Sequence, residues 1–168
     1  MSSAELRGGG SCENAISLAL QRIISLAYVN YFDILAESFS AKIESGAIGT
    51  PVALRLYLQL TADHGLLLPY AALGVDLAQR WLTGQADVAH AQGGVEKGYI
   101  TVLGRLGTGT CLVHSELIRG SDSPSVRLVI VGNRGSAEFS DSPSALGRVD
   151  ELTPASLQPL VERIEDKL

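Results

Sequence analysis

The stretch VALRLYLQL, residues 52–60, alternates without a break. Val52, Leu54, Leu56, Leu58 and Leu60 fall on one side, and Ala53, Arg55, Tyr57 and Gln59 on the other. Successive side chains of a strand leave on opposite faces, so a period of two predicts a strand with one buried face. The other face is polar or covers something.

Upstream of this strand the period lengthens. Asp33 reads as the N-cap of a helix that sets Leu35, Phe39 and Ile43 on one face, and Gly46 is its C′ stop. Before that, RIISLAYVN (22–30) reads as a strand, and Ser11 as the cap of a short helix through Gln21 with Ala15, Leu18 and Ala19 apolar. Residues 1–10, small and polar, read as a flexible lead-in to a single domain over 11–168.

Downstream, GLLLPYAALGVDLAQRWLTG (65–84) has helix signals, a predicted buried stripe of Leu73, Leu77 and Trp81, and a stop at Gly84. Its only charges, Asp76 and Arg80, are spaced i,i+4 as surface neighbours are. Sheet signals follow in DVAHAQGGV, GYITVLGRL, TCLVHSELI, SVRLVIVG and GSAEFS. GTG (107–109) suits a tight hairpin, and GNRGS (132–136) a second one. Pairing Arg105 with Leu112 sets Tyr99, Thr101, Leu103 and Arg105 on one face with Leu112, His114, Glu116 and Ile118. Thr153-Pro154 reads as the start of a last helix with the stripe Leu157, Leu160, Val161, Ile164 and Leu168. Helices segregated from a run of short strands predict an α+β fold, a mainly antiparallel open-faced sheet with helices on one face.

Composition bounds the partners. A chain of 168 residues, 46% hydrophobic, fits one globular domain, and with 5% aromatics its core rests on Leu, Val, Ile and Ala. The thirteen Lys and Arg are scattered in a chain of net charge −5, so no nucleic-acid surface is expected. The longest apolar run, LLLPYAALGV, is far short of the ~20 residues a spanning helix needs, so no membrane partner is expected either. Cys12 and Cys111 read as free thiols of a reducing compartment, and the start lacks an apolar signal core, which together predict a cytoplasmic protein.

Chemistry-bearing residues are few. GGG (8–10) lacks the strand and the G-x-G-x-x-G spacing that would seat a pyrophosphate, so no cofactor site is read there. His64, His90 and His114 are not spaced as metal ligands, so no metal is expected. His114 and Glu116, at i and i+2, share a strand face and form a candidate acid–base pair, against the plainer reading of a solvated or interface pair. Asp63 and His64 sit on the loop before the 65–84 helix, where functional groups often lie.

IESGAIGTPVALRL (43–56) resembles the segment entering the C-terminal domain of the Gfo/Idh/MocA oxidoreductases. AYVNYFD before it, VDLAQRWLTG after it and IVGNRGSAEF (130–139) carry the same likeness, the last as that family's I-x-G-x-x-G-x-x-x-F/L hairpin. The resemblance implies an N-terminal NAD(P)-binding Rossmann domain followed by this α+β domain. Residues 11–30 resemble only that domain's last helix and strand. The family's catalytic lysine motif should lie upstream of Ser11, where SSAELRGGG has no lysine.

In relatives the helix matching 65–84 reads G-G-G-x-x-x-D-x-x-x-H-x-x-D, with Asp and His as acid–base groups. Aligned on VDLAQRW, those positions hold Pro69 and Leu73, and only the last Asp remains, as Asp76. The resemblance therefore implies a cofactor-free relative whose cleft, lined by Leu66, Leu67, Leu68, Pro69, Tyr70 and Leu73, takes an apolar or polycyclic small molecule. Tyr57 and Asp63 are further candidate ligand contacts, and Asp76, His114, Glu116 and His64 candidate catalytic groups for a cyclase, isomerase or lyase acting by pocket shape. The alternatives are a non-catalytic binding or assembly protein, and the substrate-domain subunit of a split NAD(P)-dependent oxidoreductase. The sheet face carrying Tyr57, Tyr99, Leu103, Leu112 and Ile118 is an expected homo-oligomer surface.

Overall fold

Strand alternation at 52–60 becomes β1 (Pro51–Thr61), an inner strand of a six-stranded sheet. The computed structural model describes residue 32 and residues 35–61, 67–118, 123–142 and 157–168. The readings at residues 11–30, Asp33, Asp63, His64, Leu66 and Thr153-Pro154 lie outside these. A helix α1 over 35–44 buries Leu35, Ala36 and Phe39 and partly buries Ile43. It ends as expected at Gly46, where φ is 73° and the N–H donates to the Ile43 carbonyl at 2.9 Å.

After β1 come α2 (Leu67–Trp81), β2 (Ala86–Gly94), β3 (Tyr99–Leu106), β4 (Gly109–Ile118), β5 (Ser125–Gly132), β6 (Ser136–Asp141) and α3 (Gln158–Glu165). The sheet order is β2-β3-β4-β1-β5-β6. Among the described residues only the β1–β4 ladder is parallel, and the other four are antiparallel. With α2 lying on β4, β3 and β1, and α3 on α2 and β2, the helices cover one face of this sheet. That is the α+β architecture the sequence predicts.

Leu54, Leu56, Leu58 and Leu60 are all but completely buried. Val52, expected with them, is 38% exposed. The β1–β5 register shifts between Pro51 and Ala53, so Val52 sits at an irregularity and the alternation does not reach it.

The β3–β4 hairpin also departs from expectation by two residues. Arg105 pairs with Thr110 and Leu103 with Leu112, leaving Gly107-Thr108 as a two-residue turn. A slip of two preserves the period of the strand, so every side chain keeps its predicted face. Gly107 has φ 58°, and a Cβ there would lie 2.4 Å from the Thr83 carbonyl oxygen, so the turn presses against the end of α2. The second hairpin turns at Asn133–Gly135, as read from GNRGS.

In α3 the stripe Leu157, Leu160, Val161 and Ile164 is buried, whereas Leu168 is 47% exposed. The helix stops at Glu165, so its periodicity no longer carries Leu168 inward. Arg163 donates from Nη1 to the Ala86 carbonyl at 2.8 Å and so ties α3 to the start of edge strand β2.

Candidate functional site

Two surfaces carry the candidate residues, one on each side of the sheet. The first is the outer face of α2. Leu67, Ala71, Gly74, Ala78 and Trp81 recur at helical spacing, are buried, and turn one stripe to the protein interior. The positions of α2 left partly or fully exposed are Pro69, Leu73, Asp76, Gln79 and Arg80, and Pro69, Leu73, Asp76 and Arg80 line up at i, i+4, i+7 and i+11. Leu73 is half-buried: it packs against the core that holds Leu77 and Trp81 and keeps part of its side chain exposed.

Of the expected cleft residues, Pro69 and Leu73 share this outer face, while Leu67, Leu68 and Tyr70 are buried in the core. Tyr70 packs there with its ring centroid 6.2 Å from that of Phe32. Asp76 Oδ2 lies 3.4 Å from Arg80 Nη2, with the two side chains 31% and 43% exposed. It is a surface ion pair of the kind that contributes little to stability.

The second surface is the open face of the sheet, away from the helices. Register aligns one row across it: Gln92, Thr101, His114, Tyr57 and Arg127. The next row holds Tyr99, Glu116, Gln59 and Ser125. Ser125 Oγ donates to Gln59 Oε1 at 2.6 Å, and Gln59 Nε2 donates to Glu116 Oε1 at 2.8 Å. Thr101 Oγ1 lies 2.8 Å from His114 Nδ1, and His114 Nε2 lies 3.5 Å from the other Glu116 oxygen, Oε2. Tyr57 and Tyr99 flank the imidazole, with ring centroids 6.2 and 6.1 Å away.

This arrangement holds a carboxylate by one oxygen and leaves the second near an imidazole, at a distance beyond a good hydrogen bond. It orients the Glu116 carboxylate beside the His114 imidazole. The sequence pairs His114 with Glu116, and the structure brings those two together. It does not bring them near Asp76, because α2 lies on the opposite face of the sheet from them. Thr101, Gln59 and Ser125 were not singled out from sequence. Their positions follow from the β3–β4, β1–β4 and β1–β5 registers, and the parallel β1–β4 ladder leaves no local turn signal.

Charge on the open face is balanced. Arg55, Arg105 and Arg127 stand against Asp87, Glu116 and Glu138, and Arg127 Nε meets Glu138 Oε1 at 2.7 Å. Tyr57 and Leu103, at 37% and 40% exposed, are its most accessible large apolar side chains. Among the described residues no group of three or more side chains is placed to hold a metal ion, and no helix is long and apolar enough to cross a membrane. On the covered face, Ser115 is fully buried with no hydrogen-bond partner for its hydroxyl among the described residues. Burial pushes the free Cys111 thiol up to about 11, against the lowering pull of a backbone hydrogen bond with Gly104.

No family model and no curated protein matches the chain. Solved structures do. Scyllo-inositol dehydrogenase from Lactobacillus casei, solved with NAD(H) and scyllo-inositol bound, matches with TM-score 0.52 and 14% identity, over 67% of this chain and 39% of that one. A myo-inositol dehydrogenase from Corynebacterium glutamicum matches with TM-score 0.45 and 13% identity, over 81% of this chain and 50% of that one. The chain thus spans about two fifths to one half of these proteins. At such identities the likeness is one of fold: the chain has the α+β fold of the C-terminal domain of Gfo/Idh/MocA-type dehydrogenases.

Proposed function

We propose that this chain is a cofactor-independent binding and assembly module on the dehydrogenase C-terminal-domain fold, pairing with a second copy of itself through the open face of its sheet. The observation that carries this reading is the charge of that face. Three arginines and three carboxylates cancel there, whereas the whole chain has a net charge of −5. Two copies repel over the rest of their surfaces and do not repel where the open faces meet.

Exposed Tyr57 and Leu103 amid arginines give this face the composition of an interface core with a polar rim. Strand spacing of ~4.8 Å and a rise of ~3.3 Å per residue give six strands of roughly eight residues an area of ~750 Å². That approaches the ~800 Å² each partner contributes to a standard interface. Light scattering at micromolar concentration should therefore report at least twice the 17.7 kDa chain mass. A mass of 17.7 kDa would refute the reading.

A second reading rests on the outer face of α2. Pro69 and Leu73, partly exposed side by side, suit contact with an apolar small molecule better than with a polyol. A cyclase, isomerase or lyase at this face would draw its acid from Asp76, since His114 and Glu116 lie across the sheet. A split oxidoreductase fits less well. Restoring a cofactor would leave proline and leucine where a proton must be transferred. A free, buried Cys111 suits the reducing cytoplasm.

A further inference from the structure

The open face holds an arginine and a carboxylate that cannot satisfy one another within one chain. Arg55 is exposed and makes no hydrogen bond or ion pair among the described residues. It sits between Leu112 and Val129 in its row, so its neighbours across both ladders are apolar. Glu116 is held by Gln59 through one oxygen, and among the described residues its other oxygen has only His114, at 3.5 Å. Arg55 pairs in register with position 112, four residues before Glu116 on β4. Four residues of strand span ~13 Å, which separates the two groups in one chain.

A twofold axis removes that separation. Tyr57 and His114 are register partners, and Arg55 lies two residues before Tyr57 while Gln59 and Glu116 lie two residues after the pair. An axis lying in the interface, perpendicular to the strands and crossing the Tyr57–His114 row, exchanges those positions. It sets Arg55 of each copy above Gln59 and Glu116 of the partner subunit. Stacked sheets sit ~10 Å apart, a gap that an arginine reaching toward a glutamate can bridge. Tyr57 falls near the axis, where its exposed ring meets its own symmetry mate. Arg127, in the same row, faces its mate already neutralised by Glu138.

Resting on the assembly reading, the geometry points to a reciprocal ion pair between Arg55 of one copy and Glu116 of the partner subunit as the contact that fixes how the two sheets pair. Being isologous, the contact occurs twice in each dimer. Gln59 and Ser125 act as positioning residues, because their hydrogen-bond chain fixes one oxygen of the Glu116 carboxylate and leaves the other for the incoming guanidinium. Guanidinium and carboxylate then meet in the fork geometry that arginine favours.

Charge reversal tests the pairing directly. The Arg55→Glu chain and the Glu116→Arg chain should each self-associate roughly thirtyfold or more weakly than the unmodified chain, because each sets like charges face to face twice. Mixed in equal amounts, the two variants should form a heterodimer, since one copy then carries two carboxylates and the other two guanidinium groups. Native mass spectrometry reads this species apart from either homodimer, and circular dichroism confirms that each variant is folded. Should Glu116→Arg fail to fold, Glu116→Gln keeps the side-chain shape and should still weaken self-association by roughly tenfold. The inference is overturned if the unmodified chain dimerises while the variants dimerise equally well, or if both weaken and the mixture stays monomeric. A monomeric unmodified chain would instead overturn the assembly reading beneath it.

Discussion

Gly74→Ala is the sharpest probe of how α2 meets the sheet. Gly74 lies mid-helix, and a Cβ built there would stand 2.6 Å from Val113 Cγ1, 2.9 Å from Leu56 Cδ2 and 3.0 Å from Val113 Cγ2. Both neighbours are fully buried on inner strands, so neither methyl group can retreat into solvent. Alanine in a helix interior gains ~1 kcal/mol over glycine. Overpacking a filled core costs ~1–3 kcal/mol. The steric term matches or exceeds the gain, and Gly74→Ala should lose up to ~2 kcal/mol of stability.

Val113→Ala should also destabilise, by leaving a space of two methyl groups worth ~1–3 kcal/mol. In the double variant the new methyl of residue 74 enters that space. The two losses should then fall short of additivity by ~0.5–2 kcal/mol, as expected for residues in direct contact. Urea unfolding of the four proteins, followed by far-UV circular dichroism with unchanged denaturant dependence, supplies the cycle. A stabilising Gly74→Ala, or losses that add within ~0.3–0.5 kcal/mol, would refute the close approach of α2 to β4.

Three further outcomes are expected. Leu73→His puts an imidazole on the half-buried outer face of α2 without a hydrogen-bond partner; it should lower stability by up to ~1–2 kcal/mol and yield no NAD(P)-dependent oxidation, and a neutral thermal melt or a gain of dehydrogenase turnover would contradict it. Cys111, in a Cys12→Ser background, should resist disulfide reagents at pH 8 until the chain unfolds, because burial raises its thiol from 9.0 to about 11. The unfolded thiol ionises first, so the stability Cys111 contributes is complete below pH 9 and is lost as pH rises toward 11; a Cys111→Ala variant should lack that loss in stability measured against pH.

Some of the site was legible before any tertiary contact. His114 and Glu116 are two apart on an alternating strand, and a period of two puts them on one face whatever the partner strands are. Asp76 and Arg80 were legible for the same kind of reason on a helix, since i,i+4 neighbours meet on its surface. Gln59 was visible only as a polar residue in VALRLYLQL. Its role in holding Glu116 comes from the β1–β4 ladder, whose partners are 57 residues apart.

The sequence by itself determined the periods: two along 54–60 and 99–116, and helical over 67–81 and 157–164, with glycines closing α1 and the β3–β4 hairpin. Those signals are local, set by side-chain size and backbone freedom over a few residues, and they were enough to predict an α+β sheet with helices on one face. Tertiary structure decided where each period stops being obeyed. A register shift released Val52, the end of α3 released Leu168, and a two-residue turn moved the hairpin register by two. It also decided which elements face each other, placing Asp76 on one side of the sheet and His114 with Glu116 on the other. Periodicity tells a residue which face of its own element it occupies; only the packing of distant elements tells it what that face will meet.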